Sequence, residues 1–279
     1  MIDDRRELVV TEPWSAEMAA LIEQGAVDRL VLNYALGFEE AGLDFLRDLP
    51  VRELVVLDRR VTDLEPVYSL AATLELLHLT SDPGIRVDLT RLPELRELRA
   101  DWAQVEQTIA AVPRLTRAAF RSYQPDDLTP LAPLADLTWV SMKDRPRLRS
   151  LTGLSALPKL VDLGVFLAQK LDDISELRGR SNLENLDLQS CRLITSTCDL
   201  DGCTSLRRLN LAEGGDLDTA GPLAGLVNLR ALHLYGTTTF IDGDLSPIAN
   251  LPRLAELGMQ NRRHYRPSVA EIQAGLGNR

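Results

Sequence analysis

A six-residue pattern, L-x-x-L-x-L with conservative replacements, recurs through the chain and limits what it can fold into. Copies begin at Val27, Val51, Leu74, Leu95, Leu115, Leu137, Leu160, Leu183, Leu206, Leu229 and Leu254. These eleven copies stand 24, 23, 21, 20, 22, 23, 23, 23, 23 and 25 residues apart. Such a period marks coils that cannot bury an apolar face alone and must stack to do so. Side chains along a strand alternate faces. The fourth and sixth positions of each unit therefore point to a core, and the first lies in the turn leading in. Positions two, three, five, seven and eight project outward or onto a rim. Leucine fills 53 of the 279 positions, and aromatics make up only 5%. Each buried leucine contributes roughly 1.5–3 kcal/mol before entropy is subtracted, so repeated leucine columns can hold the coils together without large rings.

A second apolar pair precedes many copies, as in LSALPKL ending at Leu160, LAGLVNL ending at Leu229 and IANLPRL ending at Leu254. An Asp-apolar step often comes earlier, at Asp127-Leu128, Asp173-Ile174 and Asp244-Leu245. On these residues the chain resembles the leucine-rich repeat family, whose unit of 20–29 residues reads L-x-x-L-x-L-x-x-N/C-x-L. It is most similar to the short bacterial, internalin-like subclass, over residues 27–262. The resemblance implies an α/β solenoid, a right-handed superhelix of about eleven coils. Its curved parallel β-sheet would form the concave face, opposite a mostly 3₁₀ or extended convex side. One column departs from the family. The ninth position, usually Asn, reads Ala35, Arg59, Asp82, Ala103, Tyr123, Arg145, Ala168, Cys191, Gly214, Thr237 and Arg262. Only Cys191 matches. This predicts irregular turns after the strands, with distortion in repeats four to six, where the spacing tightens.

The ends of an open solenoid need covering. Residues 1–26 read as an amino-terminal helical cap, with an amphipathic helix over 13–24, a stop at Gly25, and Trp14, Met18, Leu21 and Ile22 over the first coil. Residues 27–262 read as one continuous solenoid domain, and 263–279 as a carboxy-terminal cap. There Ser268-Val269-Ala270-Glu271 is a capping box opening a helix to Leu276. The net charge of −10 argues against nucleic acid or an anionic membrane as the main partner. No apolar run could span a bilayer, and MIDDRRELVV lacks the apolar core of a secretory signal. Cys191, Cys198 and Cys203 are too few and too clustered for a disulfide framework. The expectation is a soluble, cytoplasmic, monomeric protein.

Catalytic signatures are missing from the sequence: it has no phosphate-binding glycine loop, dinucleotide fingerprint, G-x-S-x-G or H-E-x-x-H. His78, His233 and His264 are scattered over different repeats, and the cysteine spacings do not match a zinc site. The reading is that the chain is no enzyme and carries no metal or cofactor. Function then lies in the outward positions. No outward column is uniform, which suits an irregular target such as a folded protein. Arg99, Trp102, Arg117, Arg121, Trp139, Lys143 and Phe166 gather in repeats four to seven, and aromatic and Arg side chains dominate binding hot spots. Trp102 and Trp139 also fit rings folded over a rim. A smaller patch comprises Arg208, Arg230, His233 and Tyr235. Asp162, Glu184 and Asp187 form an acidic stripe beside the basic group, a pattern that equally describes a solvated face. These features predict a non-catalytic module that binds a protein partner in the concave groove. Alternatives are an acidic immunity or antitoxin-like protein neutralising a basic partner, and a structural homo-oligomer.

Overall fold

The computed structural model divides into two compact units, Met1–Phe120 and Arg121–Arg279, and describes residues 6–40 and 42–276. In the first unit, parallel strands β1 (Glu7–Val10), β2 (Arg29–Asn33), β3 (Glu53–Leu57), β4 (Leu76–Thr80) and β5 (Glu97–Asp101) pair in chain order. The next strand, β6 (Arg117–Arg121), opens with the Thr116 and Arg117 amides on the Arg96 carbonyl. Register explains the repeat: fourth positions Leu30, Leu54, Leu77 and Leu98 stand opposite one another and are buried, as are the sixth-position residues Leu32, Val56 and Leu79.

Strand β1 lies where the sequence suggested a helix alone. Leu8 pairs with Leu30 and Val10 with Leu32, so ELVV is a shortened copy of the repeat without its leading leucine. Helix α1 (Ala16–Glu23) follows, with Ser15 Oγ accepting from the Met18 amide. Gly25, at φ +65°, supplies the left-handed stop. Met18 and Ile22 are buried, whereas Leu21 stays 42% exposed, and Trp14 stacks on Phe45. Short helices α2 (Glu65–Tyr68) and α3 (Trp102–Val105) occupy the return path. The close spacing after Leu95 is absorbed by α3, which starts directly after β5, so β5, β6 and β7 (Trp139–Lys143) each keep five residues. The distortion expected in repeats four to six is absent from these strands.

In the second unit β7, β8 (Asp162–Val165), β9 (Asn185–Asp187), β10 (Arg208–Asn210), β12 (Ala231–Leu234) and β14 (Glu256–Met259) pair in parallel. A two-stranded ribbon of β11 (Asp216–Leu217) and β13 (Thr239–Phe240) runs beside them. The fourth-position column reads Val140, Leu163, Leu186, Leu209, Leu232 and Leu257 across the register, all buried. The return path is made of 3₁₀ turns, among them Leu154–Ala156, Ser175–Leu177 and Cys198–Leu200, with α4 at Ser246–Ala249. Helix α5 (Val269–Leu276) carries the reciprocal box: Glu271 Oε2 accepts from the Ser268 amide, and Ser268 Oγ accepts from the Glu271 amide. It buries Val269 and Ile272, and Gln273 Nε2 donates to the Leu257 carbonyl. Among the described residues, no helix is long and apolar enough to cross a membrane.

Most turns after the strands of this unit share one backbone pattern despite the missing asparagine column, while the Asp144-Arg145 turn, with two left-handed residues, and the last one depart from it. The eighth residue of six successive repeats, Ser122, Asp144, Leu167, Ser190, Glu213 and Gly236, adopts a left-handed φ between 50° and 70°, and Asn261 of the last repeat does not. The amides of Ser122, Leu167, Ser190 and Glu213 then donate to the seventh-position carbonyls of Lys143, Gln189, Ala212 and Tyr235 in the next coil. After Ser122, Leu167 and Ser190 the ninth side chain turns inward, and Tyr123, Ala168 and Cys191 are buried, whereas Arg145, itself left-handed, and Thr237 stay exposed. The Tyr123 hydroxyl donates to the Asp127 carbonyl, and Cys191 Sγ to that of Val165. In repeat ten the tenth residue does the work of the missing asparagine. Buried Thr238 accepts the Gly214 amide and donates to the Leu211 carbonyl.

Candidate functional site

Two ladders of outward residues cross the strands of the second unit. The third-position ladder runs Trp139, Asp162, Asn185, Arg208, Ala231 and Glu256, and the fifth-position ladder runs Ser141, Gly164, Asp187, Asn210, His233 and Gly258. Side chains at Ser141, Gly164 and Ala231 are small, whereas Trp139, Phe166 and Arg208 are large. The contrast leaves a groove of about 530 Å³ over β7 to β12. Its apolar end is built from rings. Phe166 lies against Gly164 so closely that an added Cβ there would meet the ring at 2.9 Å. Lys143 Nζ stands 5.4 Å from the same ring's centroid, within cation–π range.

The polar part of the groove is held by amide–carboxylate bonds between neighbouring strands. Asn185 Nδ2 donates to Asp162, and Asn210 Nδ2 donates to both oxygens of Asp187 at 3.1 Å. The Gln189 amide gives Asp187 a further bond. Burial nevertheless pushes the Asp187 carboxyl above the usual carboxylate range, against the pull of these donors and of nearby His233 and Arg208. His233 Nε2 meets Glu256 Oε1 at 2.9 Å. Tyr235 is 49% exposed beside His233, its ring occupying the space that a Cβ at Gly258 would need. The groove thus presents two aromatic faces, two carboxylates and two cations to one occupant, which suits recognition.

Of the residues picked from the sequence, Trp139, Lys143, Asp162, Phe166, Arg208 and His233 line this groove, with Tyr235 beside it. Half-exposed Arg121 ends β6 outside the lining. Glu184 is also outside: it belongs to the second position and pairs with Arg207, so the acidic stripe contracts to Asp162 and Asp187. In the first unit, Arg99 and Arg117 both grip Glu97, at 2.7 and 3.1 Å, and Glu97 is only 8% exposed. Their charges are used on the sheet itself. Trp102 is not a surface residue: it is 2% exposed and meets Phe120 edge-on at 5.2 Å. Because α3 begins at Trp102, the eighth position turns inward in that repeat. Ser141, Gly164, Asn185 and Asn210 also line the groove; the alternation places them outward, but as small or uncharged side chains they were not picked as site residues.

Neither a protein-family model nor a curated relative matches the chain. Among solved structures it is similar to an internalin of Listeria monocytogenes, with 18% identity, 93% of this chain and 83% of that chain covered, and a TM-score of 0.65. A second internalin of that organism, internalin C2, is 25% identical over 63% of this chain and 68% of its own, with a TM-score of 0.42. A leucine-rich-repeat protein of Leptospira interrogans matches at 12% identity over 91% and 88%, with a TM-score of 0.39. The first likeness, together with stacked parallel strands and the buried columns at positions four and six, establishes that this chain has the leucine-rich-repeat fold.

Proposed function

We propose that the chain is a non-catalytic recognition module that binds a protein partner through the open strand face, with the groove over β7 to β12 as its centre. The observation carrying this reading is Asp187, a carboxylate partly withdrawn from water in a groove flanked by Trp139 and Phe166. Its burial disfavours the charged form. A cost of that kind, next to rings that offer large contact area, marks a surface shaped for a partner. The lining sets Lys143 and Arg208 against Asp162 and Asp187, so the complementary surface is mixed in charge. This favours a folded protein or peptide over the purely basic target that an acidic neutralising protein would require.

The test begins with affinity purification and mass spectrometry to name the partner, followed by calorimetry with the purified pair. Trp139→Ala combined with Arg208→Ala should weaken binding by about 2 kcal/mol or more, the usual scale for hot-spot residues. Unchanged affinity would remove the groove from the interface.

A further inference from the structure

Residues flanking the first position of each repeat lead into the strands, and their charges follow a rule. Cations there stand next to acids of an adjacent coil. Arg6 binds Asp28, Arg52 binds Glu75, Arg114 binds Glu94 and Lys159 binds Asp136; Arg96 follows Glu75 in the next coil, its backbone amide donating to the Glu75 carbonyl. The rule ends after Glu184. Arg207 reaches Glu184 only at 3.3 Å, a longer separation than in those four pairs. Arg230 follows in the next coil, its amide on the Arg207 carbonyl, with no acidic side chain in ion-pair reach among the described residues. Beyond it, Arg253 donates through Nη1 to Asn228 Oδ1, and Asn228 is itself anchored by Nδ2 to the Thr204 carbonyl.

Glu184, Ser205, Arg207, Asn228, Arg230 and Arg253 enclose a polar cleft of about 120 Å³. It holds three guanidinium groups against one carboxylate, in a chain whose net charge is −10. Neighbouring coils lie roughly 4.8 Å apart, and like charges in facing positions destabilise a sheet. Stacking therefore does not call for this arrangement, and the residue after Arg230 in the same column is Ala255, not an acid. One guanidinium fork satisfies both oxygens of a carboxylate. Three guanidiniums from successive coils, with the Ser205 hydroxyl at the margin, match the three outer oxygens of a phosphoryl group. We infer that the Arg207–Arg230–Arg253 cleft binds a phosphoryl group, as free phosphate or as a phosphate monoester on a partner.

Calorimetric titration of the full chain at low ionic strength tests this, with inorganic phosphate in one arm and N-acetyl-O-phosphoserine amide in the other. Acetate serves as the anion control. At least one phosphorylated probe should saturate a single site. Arg230→Ala and Arg253→Ala should each weaken that binding at least tenfold, and Glu184→Gln should tighten it by freeing Arg207. Arg149→Ala removes an equal charge outside the cleft and should change nothing. Tighter binding of phosphate identifies the free ion, and tighter binding of the ester a group carried by a partner. The inference is overturned if neither probe saturates, if acetate binds as well, if either cleft arginine can be removed with less than a tenfold loss, or if Arg149→Ala weakens binding equally.

Discussion

Thr238→Val tests how the coils hold together without the asparagine column of the family pattern. The Thr238 side chain is 1% exposed. Its Oγ1 accepts from the buried Gly214 amide at 2.9 Å and donates to the Leu211 carbonyl at 2.6 Å. Valine keeps the branched shape and removes both bonds. A buried amide left without an acceptor costs about 1–3 kcal/mol, and the lost bond to the carbonyl about 1 kcal/mol more. The expected loss is therefore about 2–4 kcal/mol, a large share of the 5–15 kcal/mol typical of a domain. Thr238→Ser keeps both bonds and loses one methyl, at a cost of about 1 kcal/mol. Coupling between neighbouring coils can make unfolding depart from all-or-none behaviour. Urea denaturation should therefore be paired with hydrogen exchange read at the Gly214 amide. The valine variant should be clearly less stable than the serine variant, and exchange at Gly214 should quicken most. If valine is tolerated as well as serine, the hydroxyl is not a structural substitute for the asparagine.

Three further outcomes are expected. Tyr123→Phe leaves the ring in its buried place but removes the hydroxyl bond to the Asp127 carbonyl, so it should cost about 1 kcal/mol in denaturant titrations. The Arg60 guanidinium holds the Asp58 carboxyl below the usual carboxylate range. A lowered folded pKa gives a contribution that is complete above the ordinary value of about 3.9 and disappears as pH falls through the lowered one; Asp58→Asn should flatten the acid side of the stability profile, and an unchanged slope between pH 5 and 2 would count against the pairing. Asp187 has the opposite sign, since a carboxyl raised by burial weighs against the folded state at neutral pH and is relieved as pH falls through its folded pKa. Asp187→Asn should accordingly be at least as stable as the natural chain at pH 7 while binding the partner more weakly, and a marked loss of stability would contradict that assignment.

The buried columns were legible because one residue type at a fixed spacing has one physical use. Leu30, Leu54, Leu77 and Leu98 face one another across the register of the first unit as the repeat requires. What escaped depended on backbone direction. Trp102 counts as outward only if the strand continues through it, and it instead starts α3. The left-handed eighth residues of the second unit include Leu167 and Glu213, side chains that carry no signal for that conformation. Strand β1 keeps positions four and six of the repeat but not the first, so ELVV has too little pattern to register. In the groove, Trp139 and Arg208 followed from alternation alone. The importance of Asn185 and Asn210 lies in their bonds to carboxylates of the preceding strand, which no count along the chain contains.

A repeat supplies its own controls, because equivalent places show what stacking alone requires. Buried Glu97 is met by two arginines, Arg99 and Arg117, and Arg29 lies between Glu7 and Glu53. The sheet thus has a ready way to neutralise a charge on its outward ladders. Asp187 receives amide donors instead, from Asn210 and Gln189, and among the described residues no cation forms an ion pair with it. Amides satisfy its lone pairs and orient the carboxylate but leave its charge in place, in a groove whose burial disfavours that charge. The same fold accommodates both solutions, so packing does not explain the choice. On the proposed reading, a cation brought by a partner into the groove beside Asp187 would complete at the interface the neutralisation that Arg99 and Arg117 complete within the sheet.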